Sequence, residues 1–139
     1  MPDINKPIYD RTKRVLGEEN TKKLSEARVL LFGLGGVGGY VFEALCRLGV
    51  AAIGAVDCDT VNETNLNRQI LATLDNIGEH KCDAAERRAK SISPETEIIK
   101  LKELCKKRPP PLCFIVCATT ILRTSPTSTP KRLGVHRIL

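Results

Sequence analysis

The chain has 139 residues, with 22 Lys and Arg against 16 Asp and Glu for a formal net charge of +6; 42% of the residues are apolar and 27% charged. That length holds one small domain, and the composition is that of a globular chain, which excludes a wholly disordered one. No apolar run approaches the roughly 18 residues of a membrane span, and Met1-Pro2-Asp3-Ile4-Asn5-Lys6 lacks the pattern of a secretory signal, so a cytoplasmic protein without a membrane partner is expected.

Tyr9 to Leu16 reads as a helix broken at Gly17, and Glu18 to Ala27 as a second one, acidic at its start with Lys22 and Lys23 later, as the helix dipole favours. These N-terminal helices, residues 1–27, are mostly polar and are expected at the periphery. Arg28-Val29-Leu30-Leu31-Phe32 is a short apolar run leading into Gly33-Leu34-Gly35-Gly36-Val37-Gly38-Gly39, the pattern of a buried parallel strand entering a glycine turn. Val37, Val41, Leu45 and Leu48 follow at helical spacing, which predicts a helix with one apolar stripe closed by Gly49. Ala51 to Val56 reads as a second strand ending at Asp57-Cys58-Asp59, so strand, turn, helix and strand form one βαβ unit.

Further on, Cys82, Ala85, Ala89 and Ile92 predict another helix, stopped by Pro94, and Thr96 to Leu101 alternates like a third strand. The expected class is therefore α/β: a Rossmann-like, doubly wound, mostly parallel sheet whose nucleotide-binding half-domain covers residues 28–104. Beyond it the regularity fades. Leu112 to Ala118 reads as one more strand, and the remainder of 105–139 as a poorly ordered tail rich in Pro, Ser and Thr.

Residues 106–139 carry seven basic side chains and no Asp or Glu, leaving 15 basic against 16 acidic for residues 1–105. The net charge therefore belongs to the tail, and no nucleic-acid affinity is read from it. Cys46, Cys58, Cys82, Cys105, Cys113 and Cys117 form no CxxC pair and lack a His at zinc-finger spacing, so they are expected as buried or half-buried thiols with no metal.

Gly33-x-Gly35-x-x-Gly38 lies between a predicted strand and a predicted helix, where the glycines let a phosphate approach the N–H groups of the helix start. Asp57 ends the next strand, 19 residues after Gly38, where a carboxylate can accept the hydroxyls of a ribose. The loop alone does not choose among nucleotides. Arg68 and Lys81 place two cations just beyond the cleft, suited to a triphosphate, and Asn65 is placed to orient a phosphate oxygen or a metal-bound water. Each also has an ordinary reading: Arg68 as a solvated residue, Lys81 as a surface lysine, Asn65 as a helix cap. His80 reads as a cap or surface residue beside Lys81.

Taken together, Leu31 to Gly39, Asp57-x-Asp59-x-Val61, Thr64-Asn65-Leu66-Asn67-Arg68-Gln69 and Gly78-x-x-Lys81 resemble the ubiquitin-activating-enzyme-like (ThiF/MoeB-type) superfamily of ATP-dependent adenylating enzymes, over about residues 8 to 104. Arg11 to Glu18, close to the glycine loop, resembles the branch that dehydrates threonylcarbamoyladenosine in tRNA, with sulfur-carrier adenylyltransferases as nearest cousins. The resemblance implies that Gly33, Gly35, Gly36 and Gly38 shape an ATP phosphate loop, that Asp57 holds the ribose with Asp59 beside it, and that Asn65, Arg68 and Lys81 meet the triphosphate. It also implies Arg14, Arg68 and Lys81 as catalytic cations, Arg14 reaching the ATP site of the partner subunit of a homodimer, with Mg2+ and tRNA as further participants and DNA as none.

Family members carry an Asp-rich strand end that holds magnesium, whereas the strand here ends Ile115-Val116-Cys117-Ala118-Thr119-Thr120. They also continue for roughly another hundred residues, in keeping with domain sizes. An altered or missing C-terminal half after about residue 105 is therefore expected, and with it an incomplete, aggregation-prone sheet. An NAD-binding oxidoreductase fragment and a non-catalytic remnant remain the alternatives to an adenylating enzyme.

Overall fold

In the computed structural model, which describes residues 1–102 and the strand Phe114–Cys117, a 3₁₀ turn at Pro7–Tyr9 leads into α1 (Asp10–Leu16) and α2 (Glu18–Glu26). The chain then builds β1 (Arg28–Phe32), α3 (Gly38–Leu48), β2 (Ala52–Val56), α4 (Lys81–Ile92) and β3 (Glu97–Lys100), and β4 (Phe114–Cys117) completes the described sheet. The strand order is β3-β2-β1-β4. β1 and β2 pair in parallel with Leu30 opposite Gly54, and β2 and β3 in parallel with Ile53 opposite Ile98. β4 runs antiparallel to β1, Leu30 facing Val116. The expected α/β class and mostly parallel sheet are thus found, and the predicted last strand is present at 114–117. The rest of the predicted tail, 105–139, lies outside the described residues.

Alternation along the strands decides which face is core. Leu31 and Ile53 point into a cluster with Leu34, Phe42, Cys46, Val50, Cys82 and Ala85, covered by α3 and α4. The helix predicted after the glycine loop exists, but its buried face is not the predicted stripe. Phe42 and Cys46 are fully buried, Val41 and Leu45 flank them, and Val37 is 68% exposed. The stripe turns by one residue because Glu43 is also buried: its carboxylate accepts from Arg88 on α4 (Nε to Oε2 2.8 Å, Nη2 to Oε1 2.7 Å) and from Arg47 one turn on (2.6 Å). Arg88, and then Arg47, hold that carboxyl down to about 2 against the opposing effect of burial. An ion pair therefore staples the two crossover helices.

On the other face a Cβ on Gly54 would lie 2.7 Å from Leu30 Cδ1, the end of a side chain that would have to turn aside to admit it. The N-terminal helices are less peripheral than their polarity predicts: Tyr9, Thr21 and Ser25 are buried. Tyr9 occupies the space beside Gly49, whose φ of +72° and whose missing Cβ, 2.5 Å from the ring, both require glycine. The hydroxyls continue inward, Tyr9 Oη 3.4 Å from Ser93 Oγ, Ser93 Oγ 2.9 Å from Thr96 Oγ1, and Thr96 donating to the Val50 carbonyl at 2.9 Å.

Cys46 and Cys82 are buried and Cys58 is exposed; burial pushes the Cys46 thiol up to about 12. Among the described residues no helix is long and apolar enough to cross a membrane.

Candidate nucleotide-binding site

The site is built at the ends of β1 and β2, where the parallel strands finish side by side. Gly33 leaves β1 at φ +85° and its N–H donates to the Val56 carbonyl at 2.8 Å, tying the glycine loop to the end of β2. Leu34 is fully buried beneath the loop, and its N–H donates to Asp57 Oδ2 at 2.7 Å. The other oxygen of Asp57 accepts the Asp59 N–H at 2.9 Å. Asp57 thus holds the loop in place, and each of its oxygens keeps a second lone pair for a ligand hydroxyl. No side chain caps the start of α3; the Gly39 N–H donates to the Gly35 carbonyl at 2.9 Å within the loop itself, and the positive end of the helix dipole faces the loop.

Residues 62–71 pack onto the loop. A Cβ on Gly39 would touch Ile70 Cγ2 at 3.3 Å and Leu71 Cγ at 3.5 Å, and one on Gly36 would lie 3.5 Å from the Arg68 carbonyl and 3.8 Å from its Cγ. Arg68 therefore runs beside Gly36. Its guanidinium is exposed and donates to the Thr64 carbonyl and Asn67 Oδ1, both at 2.9 Å. Asn65 is buried and takes part in a capping box, though at its third position and not as the cap: Asn62 is the N-cap, and Asn65 Oδ1 accepts the Asn62 N–H at 3.0 Å.

Lys81 departs most from an ordinary surface lysine. It is 6% exposed, and its Nζ lies 2.8 Å from Asp59 Oδ2 and 4.0 Å from Asp57 Oδ1. Cys82, the next residue, sets its thiol within 3.4 Å of the Ala55 carbonyl and 3.3 Å of that of Asp57, which fixes the start of α4 against the end of β2. Cys82 was expected as a buried or half-buried thiol on the apolar stripe of this helix, and it is buried; its contact with the end of β2 was not read, because it depends on carbonyls 25 and 27 residues earlier in the chain. Sequence reasoning missed Gln69, buried with its Nε2 4.0 Å from where a Gly35 Cβ would stand; the motif block contained Gln69 without assigning it a task.

His80 stands at the N-terminal cap of α4 without using its side chain as a cap. Arg14 sits exposed on α1, and no hydrogen bond or ion pair between described side chains joins it to this group. The structure therefore gathers Gly33, Gly35, Gly36, Gly38, Asp57, Asp59, Asn65, Arg68 and Lys81 at one end of the sheet and leaves Arg14 apart. Glycine cradle, uncapped helix start and two cations fit a nucleoside triphosphate. Among the described residues no group of three or more His, Cys, Asp or Glu gathers to hold a metal ion.

Known proteins resemble the chain in sequence and in fold. The tRNA threonylcarbamoyladenosine dehydratase of Bacillus subtilis is 42% identical over 94 residues, 68% of this chain and 37% of that protein. The sulfur carrier protein adenylyltransferase of Thermus thermophilus is 37% identical over 79 residues, 57% of this chain and 29% of that protein. The crystal structure of the Escherichia coli dehydratase TcdA in complex with ATP superposes with a TM-score of 0.66 at 34% identity, covering 70% of this chain and 42% of that one. The chain thus spans well under half the length of these relatives. The profile of the ThiF family matches residues 9–121, running past residue 104 to take in β4. By that match, and by the loop, acid and cations it brings together, the chain belongs to the ThiF family.

Proposed function

We propose that the chain forms the ATP-binding part of an adenylating enzyme that activates a carboxylate, and that its substrate is the threonylcarbamoyl group of a tRNA adenosine, which the enzyme cyclises as a dehydratase. The observation that carries this reading is the buried ammonium of Lys81 beside Asp57 and Asp59, at the carboxylate that anchors the glycine loop. A pyrophosphate bridge needs only the loop and Asp57; a buried lysine and an arginine alongside suit the greater charge of a triphosphate. ATP supplies the adenylyl group that makes the carboxylate reactive, with pyrophosphate released.

In this reading Gly33, Gly35, Gly36 and Gly38 admit the phosphates to backbone N–H groups, and Asp57 accepts the ribose hydroxyls while holding Leu34. Arg68 and Lys81 stabilise the charge that develops at the α-phosphate, Asn65 orients a phosphate oxygen, and Asp59 borders the site. Arg14, exposed and without a bond to this site, serves the site of a partner subunit in a homodimer. Mg2+ accompanies the triphosphate, and the protein works in the cytoplasm. The functional division is into N-terminal helices at 1–27, the ATP-binding half-domain at 28–104 and a basic tail at 105–139. The dehydratase is preferred to the sulfur-carrier enzyme because the segment Arg11 to Glu18 fits that branch and the identity is higher and longer, 42% over 94 residues.

The test is equilibrium binding of ATP with NAD as competitor, followed by pyrophosphate release with tRNA that carries the threonylcarbamoyl group, with unmodified tRNA, and with a sulfur-carrier protein. ATP is expected to bind in the presence of excess NAD, and release to require the modified tRNA. Preferential binding of NAD overturns the adenylating reading; release with the carrier protein alone overturns the choice of substrate.

A further inference from the structure

Building on the ATP-binding reading above, we infer that Asp59 is the positioning residue for Lys81: it sets the ammonium at the rim of the glycine loop without touching the nucleotide itself. Two carboxylates stand near that ammonium, and their geometry separates their tasks. Asp57 is 4.0 Å away, outside hydrogen-bond range, and its two oxygens already accept the N–H groups of Leu34 and Asp59. Asp59 Oδ2 is 2.8 Å from Lys81 Nζ and is the hydrogen-bonding partner.

The pair is asymmetric. The Lys81 side chain is 7% exposed and that of Asp59 66%, so the acid stands at the solvent edge and the ammonium faces inward. A lysine has a flexible four-carbon stem and an ammonium that is costly to bury unpaired. One fixed anion resolves both difficulties, restricting the stem and compensating the charge. Of the three ammonium donors one goes to Asp59, which leaves capacity for a phosphate oxygen.

The backbone holds the two residues in register independently of their side chains. Lys81 N–H donates to the Asp59 carbonyl at 3.0 Å, Val61 N–H to that of Glu79 at 2.8 Å, and Gly78 N–H to that of Val61 at 2.8 Å, with Thr60 bridged to His80 as in an antiparallel ribbon. This clamp survives removal of the Asp59 carboxylate, so a side-chain variant tests positioning rather than folding.

Two measurements decide it. The first is ATP affinity by calorimetry for the full chain and for Asp59→Asn, Lys81→Met and the double variant. Asp59→Asn is expected to weaken ATP about tenfold, the scale of one charge-assisted hydrogen bond, and to have no further effect once Lys81 is Met; Asp59→Glu is expected to regain most of the loss. An equal loss in both backgrounds would show direct contact between Asp59 and nucleotide, and unchanged or tighter binding in Asp59→Asn would show a bystander or a competitor for Lys81; each overturns the inference. The second needs no ATP: acylation of Lys81 by an amine-reactive reagent, read by mass spectrometry, is expected to rise at least fivefold in Asp59→Asn. If the wild-type chain fails to bind ATP, the functional reading falls, while labelling still decides whether Asp59 holds Lys81; an unchanged labelling rate overturns the inference on its own.

Discussion

The two ends of the parallel sheet both bury polar groups, and they do so in opposite ways. Where the strands begin, Tyr9, Ser93 and Thr96 form a chain of hydroxyls that ends on the Val50 carbonyl, each group meeting the next. Where the strands finish, Asp57 spends one lone pair per oxygen on the loop, Lys81 has donors to spare, and the start of α3 has no side-chain cap. A closed network consumes its own hydrogen-bonding capacity and so acts as structure. An open one keeps capacity for a ligand, at the cost of burying groups that are only partly satisfied.

Breaking the closed end should destabilise the protein most. Gly49→Ala puts a Cβ 2.5 Å from the Tyr9 ring at a residue with φ +72°, so strain and overpacking combine to about 3 kcal/mol or more, read as a drop in Tm of roughly 10 °C. An unchanged melting curve would mean that Tyr9 does not lock the N-terminal segment. Next comes the staple between α3 and α4. The Glu43 carboxyl lies at about 2 when folded and near 4.5 as its ordinary value, so its stabilisation is present in full above about pH 4.5 and is lost as pH falls through 2. Glu43→Gln should cost about 2–3 kcal/mol at pH 7, and denaturant titrations should show the gap to wild type closing towards pH 2. A gap that does not depend on pH would remove the ionic explanation. Thr96→Val, which deletes one hydroxyl and leaves the Val50 carbonyl and Ser93 without it, should cost about 1–2 kcal/mol and leave ATP affinity unchanged.

The pattern of strands and crossover helices was legible because the apolar run at 28–32, the glycine turn and the small-residue run at 51–56 are local signals. The face of α3 was not, because the burial of Glu43 depends on Arg88, 45 residues later in a helix whose packing the local pattern does not encode. The motif block gave the positions of Asp57, Asn65, Arg68 and Lys81, yet it could not tell a capping-box partner from a ligand at Asn65 or a solvated lysine from a buried one at Lys81. Those distinctions are set by what lies opposite: Asn62 for the first, Asp59 and Asp57 for the second. Tyr9 was missed as a core residue for the same reason, since its cavity is formed by the absent side chain of Gly49.

The smallest effect on stability sharpens the comparison at the open end, where two glycines of the same loop differ in what makes them necessary. Gly33 has φ +85° with nothing within 4 Å of a Cβ, so Gly33→Ala meets no atom but strains the backbone by about 1–2 kcal/mol. Gly36 does not have a positive φ, and its Cβ would stand at ordinary contact distance, 3.5 Å, from the Arg68 carbonyl. Gly36→Ala should therefore melt within about 3 °C of wild type, the size expected of a substitution that neither strains nor overpacks, while its methyl group occupies the surface beside Arg68 that a phosphate must approach and lowers ATP affinity. Thermal melts and calorimetry on the two variants should thus separate, stability falling in one and binding in the other. Should Gly36→Ala lose stability as Gly33→Ala does, the loop is glycine-rich for folding alone and its end of the sheet is as closed as the other.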